Sequence, residues 1–111
     1  MKLVPCHAGD IGDTRTVRLD GVEDLENVEA IEAHVARSGV TATLSCSVAD
    51  ASERTVIIAL GTAESDWLPS GPATGQWLVQ IEVTFDNGDK LTWPSAGDRG
   101  AFTLEVYPQL G

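Results

Sequence analysis

Four side chains in this sequence are suited to proton transfer, nucleophilic attack or soft-metal ligation: Cys6, His7, His34 and Cys46. Cys6 and His7 are neighbours, and in an extended chain neighbours point to opposite sides, so they do not form a thiol–imidazole couple. No serine stands in a G-x-S-x-G elbow. No catalytic residue is assigned on these grounds, and His34 reads as a polar residue on an outward strand face. An enzyme reading would need His7 or His34 beside a carboxylate in a pocket. Zinc would need tetrahedral Cys and His ligands, and the spacing of these four matches neither a finger nor a ribbon. Asp10 and Asp13, or Asp86, Asn87 and Asp89, offer oxygens to calcium. Asn87-Gly88 is already accounted for by turn geometry, however, and no distal Glu completes a ligand loop. The expectation is a chain without metal or cofactor.

The elements that carry these residues are strands. In QWLVQIEVTFDNGDKLTW, Gln76 to Trp93, the side chains of Trp77, Val79, Ile81, Val83 and Phe85 share one parity, while Gln76, Gln80, Glu82 and Thr84 share the other. This alternation predicts a strand with one buried face, Leu78 being the large apolar exception on the wet side. Asp86-Asn87-Gly88-Asp89 predicts a tight primed turn, after which Lys90 to Trp93 returns with Leu91 and Trp93 inward. Thr14 to Leu19, Val40 to Val48, Arg54 to Leu60 and Ala101 to Val106 read as further strands, and Lys2 to Pro5 as a short edge strand ended by proline. Cys46 lies on the apolar parity with Leu44 and Val48, as a core thiol would, and a Cys6–Cys46 disulfide is not expected of a chain in a reducing compartment.

Val22 to Gly39 is ambiguous. Leu25, Val28, Ile31 and Val35 fit a helical stripe closed by Ser38-Gly39, yet Ile31, Ala33 and Val35 equally fit a strand with Glu32 and His34 outward. Gly61 to Gly75 is rich in breakers and reads as a crossover, with one short helical turn at Thr62 to Ser65.

A chain of 111 residues supports a single core, and 42% apolar content is ordinary for a folded domain. The net charge of −10 comes from 17 acidic residues against seven Lys and Arg, which disfavours nucleic acid and anionic membranes as partners. No window has the roughly 18 apolar residues of a membrane span, and Met1 to Pro5 lacks the apolar middle of a signal peptide. The fold expected is all-β: an antiparallel immunoglobulin-like β-sandwich of about seven strands in one domain spanning residues 1–111.

The succession Gly9-Asp10, Asp13-Thr14, Asp24-Leu25, Val28 to Val35, Trp77 to Phe85, Asp86-Asn87-Gly88-Asp89, Leu91-Thr92-Trp93-Pro94, a loop bearing Gly97, and Phe102 to Val106 resembles the N-terminal immunoglobulin-like domain of phage baseplate upper proteins. The resemblance implies a virion structural protein, made in the host cytoplasm and incorporated into tail, baseplate, neck or capsid surface. Its partners would be other virion proteins in a symmetric multi-copy assembly. It implies no catalytic residues and no cofactor. The contact residues expected are Trp67 and Leu68 in the crossover, Leu78, Gln80 and Glu82 on the outward strand face, and Tyr107. The acidic run Asp20, Glu23, Asp24, Glu26, Glu29 and Glu32 reads as a solvated face. A carbohydrate- or ligand-binding sandwich is the alternative; it requires Trp67 and Trp93 to be exposed.

Overall fold

The strand predicted around Trp77 is the spine of the molecule. The computed structural model describes residues 2–62, 65–69, 74–95 and 100–110. Its elements are β1 (Cys6–His7), β2 (Thr14–Arg18), β3 (Val28–Arg37), β4 (Val40–Asp50), β5 (Thr55–Ala59), β6 (Gly75–Phe85), β7 (Lys90–Trp93) and β8 (Phe102–Tyr107). β6 pairs along one side with β3, and along the other it is shared by β8 and β7. The sheet order is β1-β8-β6-β3-β4-β5-β2, with β7 beside β6.

This path curls into two facing layers because β4 changes partner along its length. Residues Val40 to Ser45 pair with β3, whereas Cys46 to Asp50 pair with β5, with a register shift between Val48 and Asp50. Bulges of this kind bend a strand and increase its twist. Between the layers lie Trp77, Val79, Ile81 and Val83 of β6, Ala33 and Val35 of β3, Leu44 of β4, Phe102, Leu104 and Val106 of β8, and Val17, Val56 and Ile58 of β2 and β5, all buried. Leu25 is buried as the anchor ahead of β3.

The ambiguous stretch is strand: Val28–Arg37 holds Ala33 and Val35 at 0% and 1% exposure. Tertiary pairing on both edges decides what periodicity left open, since a helix here would strand the backbone groups of β4 and β6. Three expectations are corrected. The sheet is mixed rather than purely antiparallel, because β1 runs parallel to β8 in the register Cys6↔Val106. The short N-terminal strand is Cys6–His7, while Lys2 makes an isolated parallel bridge to Thr103. The β6–β7 connection is a four-residue loop and not a two-residue primed turn. Gly88 alone among its residues has a positive φ, of 91°, and Phe85 N donates to Asp89 O at 2.8 Å. Asn87 Oδ1 accepts from Asp89 N at 2.9 Å, so the loop's side chains close it locally. The short turn expected at Thr62 to Ser65 falls in part, with Ala63 and Glu64, outside the described residues, as does the Gly97 loop; at its two ends Ser65 N donates to Thr62 O at 3.1 Å and the pair forms an isolated antiparallel bridge.

Candidate metal centre

The outward face of the β4-β3-β6 sheet carries the candidate ligands. Register sets it out in rows across the strands. Ala36 stands opposite Leu78, His34 opposite Gln80, and Glu32 opposite Glu82. On the β4 side, Thr43 stands opposite His34 and Ser45 opposite Glu32. Side chains two apart on a strand share a face, and directly paired residues hold their Cβ atoms about 5 Å apart, so Glu32, His34 and Glu82 form a triangle above the sheet. Their ligating atoms all lie within 4.8 Å of one another, and among the described residues no other group of three His, Cys, Asp or Glu does so.

Two contacts hold the imidazole. His34 Nε2 is 3.6 Å from Glu32 Oε1, and Nδ1 is 3.3 Å from the Thr43 hydroxyl. With Nδ1–H donating to Thr43 Oγ1, the Nε2 lone pair faces the carboxylates, the orientation a metal ligand requires. Zinc and copper bind imidazole nitrogen and carboxylate oxygen at ~2.1 Å, which places ligands on a common ion ~3–3.5 Å apart. Closing the triangle to that size takes side-chain rotation, and the side chains of His34 and Glu32 are 40% and 49% exposed.

The two carboxylates meet without a fixed cation. Among the described residues no Lys or Arg forms an ion pair with Glu32 or Glu82; the recorded pairs are Arg15 with Asp13, Arg18 with Asp20, and His34 with Glu32. Like charges opposite one another across a strand pair are destabilising. A bound divalent ion would remove that repulsion.

Thr43, His34 and Glu32 also have the composition of a hydroxyl–imidazole–carboxylate relay, and His34 lines a groove beside a carboxylate, the condition set for an enzyme reading. Acyl transfer needs N–H donors aimed at a developing oxyanion. On a sheet face the backbone N–H groups lie in the plane of the sheet, at right angles to the side chains. The carboxamide of Gln80 gives its N–H to the carbonyl of Gly100.

The expected contact residues separate in the structure. Leu78 is 54% exposed and Tyr107 43%, Gln80 is exposed, and Glu82 is half-buried. Tyr107 stands apart on β8, where its hydroxyl bonds the Glu105 carboxylate; this bond holds Glu105 below the usual carboxylate range and raises Tyr107. Leu68 is fully buried and leaves the surface list: the crossover folds back over the end of the sandwich, and Leu68 N donates to Leu60 O at 2.9 Å. Trp67 goes with it, packing edge-on to Trp77 at 5.2 Å and 88°. Trp93 donates Nε1–H to Asp20 O at 3.0 Å and packs on Phe102. Both indoles are half-buried, so the structure gives neither the full exposure that the carbohydrate reading requires nor the full burial that would exclude it.

The cysteines are free thiols. Burial pushes Cys6 up to about 11, offset in part by Arg15, and Cys46 up to about 12. A thiol pKa raised in the fold stabilises the native state below the ordinary value of 9.0, and that stabilisation is lost as pH rises through the folded values. Both thiols are expected to react with a disulfide reagent at pH 8 about tenfold slower or more in the native protein than in urea. Unfolding midpoints should fall above pH 9. Equal reaction rates in the two states would show that the thiols are not buried.

With the geometry established, the chain was compared with known proteins. No family model matches it, and no curated protein matches it. Among solved structures it is similar to the crystal structure of CopC from Methylosinus trichosporium OB3b, with a TM-score of 0.50 and 15% identity, over 98% of this chain and 95% of that one. The likeness is one of fold. It overturns the resemblance to phage baseplate domains, and the virion role drawn from that resemblance falls with it. The misleading signal has a physical origin: an Asn-Gly turn between alternating strands is what β geometry demands, so it recurs on unrelated scaffolds.

Sequence reasoning placed Glu32, His34 and Glu82 outward but did not join them. Glu32-Ala33-His34 was the available signal, since two potential ligands at i and i+2 on a strand necessarily share a face.

Proposed function

We propose that this chain is a non-catalytic binding module, an immunoglobulin-like sandwich that holds one divalent transition-metal ion on its outward sheet face through Glu32, His34 and Glu82. The observation that carries the reading is the direct pairing of Glu32 with Glu82 beside an imidazole whose other nitrogen is engaged by Thr43. One nitrogen and two carboxylate donors suit zinc, copper(II) or nickel. Calcium and magnesium, which prefer cages of oxygen, are served less well. For a nitrogen–oxygen set open to any of the first-row ions, copper(II) is the tightest by the general affinity order. The CopC-like scaffold supports the reading only as a frame on which such a face can be displayed. The acidic surface favours cation approach and disfavours nucleic acid.

Titration calorimetry of the metal-free protein with Zn2+ and Cu2+ tests this. The expected result is one saturable ion per chain, weakened about 100-fold or more in His34→Ala, and weakened by acidification as protons compete for the ligands. Absence of saturable binding, or binding indifferent to His34, would refute it.

A further inference from the structure

The outer edge of β8 is covered by residues 2–9, a strap that runs parallel to it. Lys2 bridges Thr103, Cys6 pairs with Val106 and His7 with Tyr107, while Leu3 N donates to Thr103 O at 2.9 Å and Ala8 N to Tyr107 O at 3.0 Å. Between these contacts the ladder is broken: Val4 is 71% exposed, and Pro5 has no N–H to give. The carbonyls of Val4 and Pro5 turn instead to Arg15 of β2, whose Nε and Nη2 donate to them at 2.8 and 2.7 Å. β1 and β2 are the two ends of the sheet path, and among the described residues no strand pairing joins them, so a guanidinium ties the strap across the gap between them. Residues 8–13 connect the strap to β2 and form a hinge. Gly9 and Gly12 have φ of 91° and 79°, which glycine exchanges for extended values at no steric cost, and Ile11 between them is 85% exposed.

We infer that the strap is exchangeable between two copies of this chain: each β8 edge takes residues 2–9 of the other copy in the same parallel register, and Arg15 is the tie that sets how fast the strap opens. The inference is independent of the metal-binding reading. Its occupant is a second copy because exchange leaves no contact unmade: the Thr103 and Tyr107 carbonyls, the seat of Cys6 and the Arg15 guanidinium are met again, atom for atom, on an identical chain. What exchange costs is the freedom of one molecule and the rearrangement of the hinge, and concentration offsets the first. A strap that opened with nothing in its place would bare the Cys6 thiol, 3% exposed when docked, and leave β8, with Phe102, Leu104 and Val106 in the core, as an unpaired edge. Charge also favours this occupant over an acidic segment. Residues 2–9 hold Lys2 and no carboxylate, and β8 presents Glu105, which the Tyr107 hydroxyl, Gln76 and Lys2 keep below the usual carboxylate range.

The test incubates an equal mixture of isotope-labelled and unlabelled wild-type chain at millimolar concentration, with chelator present so that no metal bridges two copies. Size-exclusion chromatography then separates monomer from dimer, and isotope-filtered nuclear Overhauser spectra locate the contacts of the strap. The expected result is a dimer whose share rises with concentration and with added salt, which screens the repulsion of two chains of net charge −10. In it the contact of Leu3 with Thr103 crosses from a labelled to an unlabelled chain. Arg15→Ala removes hydrogen bonds to a charged group from both forms alike, so exchange should be about tenfold faster or more with the dimer share little changed. Deleting Ile11 and Gly12 shortens the hinge and should shift the share toward dimer. A chain that stays monomeric at every concentration, a dimer whose contact of Leu3 with Thr103 is within each chain, or an Arg15→Ala variant that exchanges no faster than wild type overturns the inference.

Discussion

Glu82→Gln is expected to abolish tight metal binding while making the metal-free protein more stable. In the native sheet Glu82 faces Glu32 across the β6–β3 pair, with no Lys or Arg bridging either one among the described residues. Removing one charge relieves a repulsion of ~0.2–1 kcal/mol, which for a domain of this size raises the melting temperature by about 1–6 °C. The same change removes one of three ligands, and affinity should fall about 100-fold or more. An ion at 100 times its dissociation constant stabilises the wild type by about 2.7 kcal/mol and the variant negligibly. The two melting curves should therefore exchange order: variant above wild type in chelator, wild type above variant in excess Zn2+. Scanning calorimetry in the two buffers reads this directly. A variant less stable than wild type in chelator would show that Glu82 is held by a contact other than the one assigned to it.

Trp77→Ala should have the largest effect on folding. Trp77 is 2% exposed on β6, packs edge-to-face with Trp67 at 5.2 Å, and belongs to the cluster that both layers share. Truncating a buried tryptophan costs about 3–5 kcal/mol, through lost burial and the cavity left behind. That is a large fraction of the 5–15 kcal/mol that typically separates folded from unfolded domains, so the variant should be marginal at 37 °C. Urea unfolding will show it as a lower midpoint. Trp67→Ala should cost less, because Trp67 is only half-buried, and the two losses should not add, since the indoles contact one another. Strict additivity would mean that the edge-on pair contributes nothing of its own.

How far the fold could be read in advance depended on whether local pattern or distant pairing determined each element. β6, β7, β4 and β8 were legible because a sandwich strand with one wet face must alternate, and Trp77 to Phe85 and Phe102 to Val106 do so without conflict. The parallel run of Cys6–His7 beside β8 was not legible, because two residues carry no period and the partner lies 100 positions away, at Val106 and Tyr107. β3 stood between helix and strand because Leu25, Val28, Ile31 and Val35 satisfy both periods; β4 and β6 on its two edges settle it. The shape of the hairpin loop was misjudged because Asp86 and Asp89 were counted as turn formers of a primed turn, whereas Asn87 closes the loop through its side chain and only Gly88 needs positive φ.

The candidate site was half legible for the same reason. Outward parity is a local property, so Gln80, Glu82, Leu78 and His34 were placed correctly on a wet face. That Glu82 stands opposite Glu32, and not one pair further along, follows from the register of strands more than 40 residues apart, which is set by how the whole core packs. Glu32 was consequently grouped with the acidic run before β3, where charge count suggested nothing beyond solvation. Trp67 stood between two readings, folded over the end of the sandwich or exposed as an interface anchor. Trp67 was considered as a contact residue because it sits among Pro and Gly, yet the loop that carries it is tied by Gly9 N to Leu68 O at 2.9 Å and lies down on the core.

The central claim is that one divalent ion is held by Glu32, His34 and Glu82, and anomalous diffraction at the zinc or copper edge from crystals grown with that ion tests it most directly. The account predicts a single strong peak about 2.1 Å from His34 Nε2 and from one oxygen of each glutamate, lost in the Glu82→Gln variant. A peak elsewhere, such as at the acidic loop residues Asp86 and Asp89 or at the free thiols, with none at His34, would contradict it.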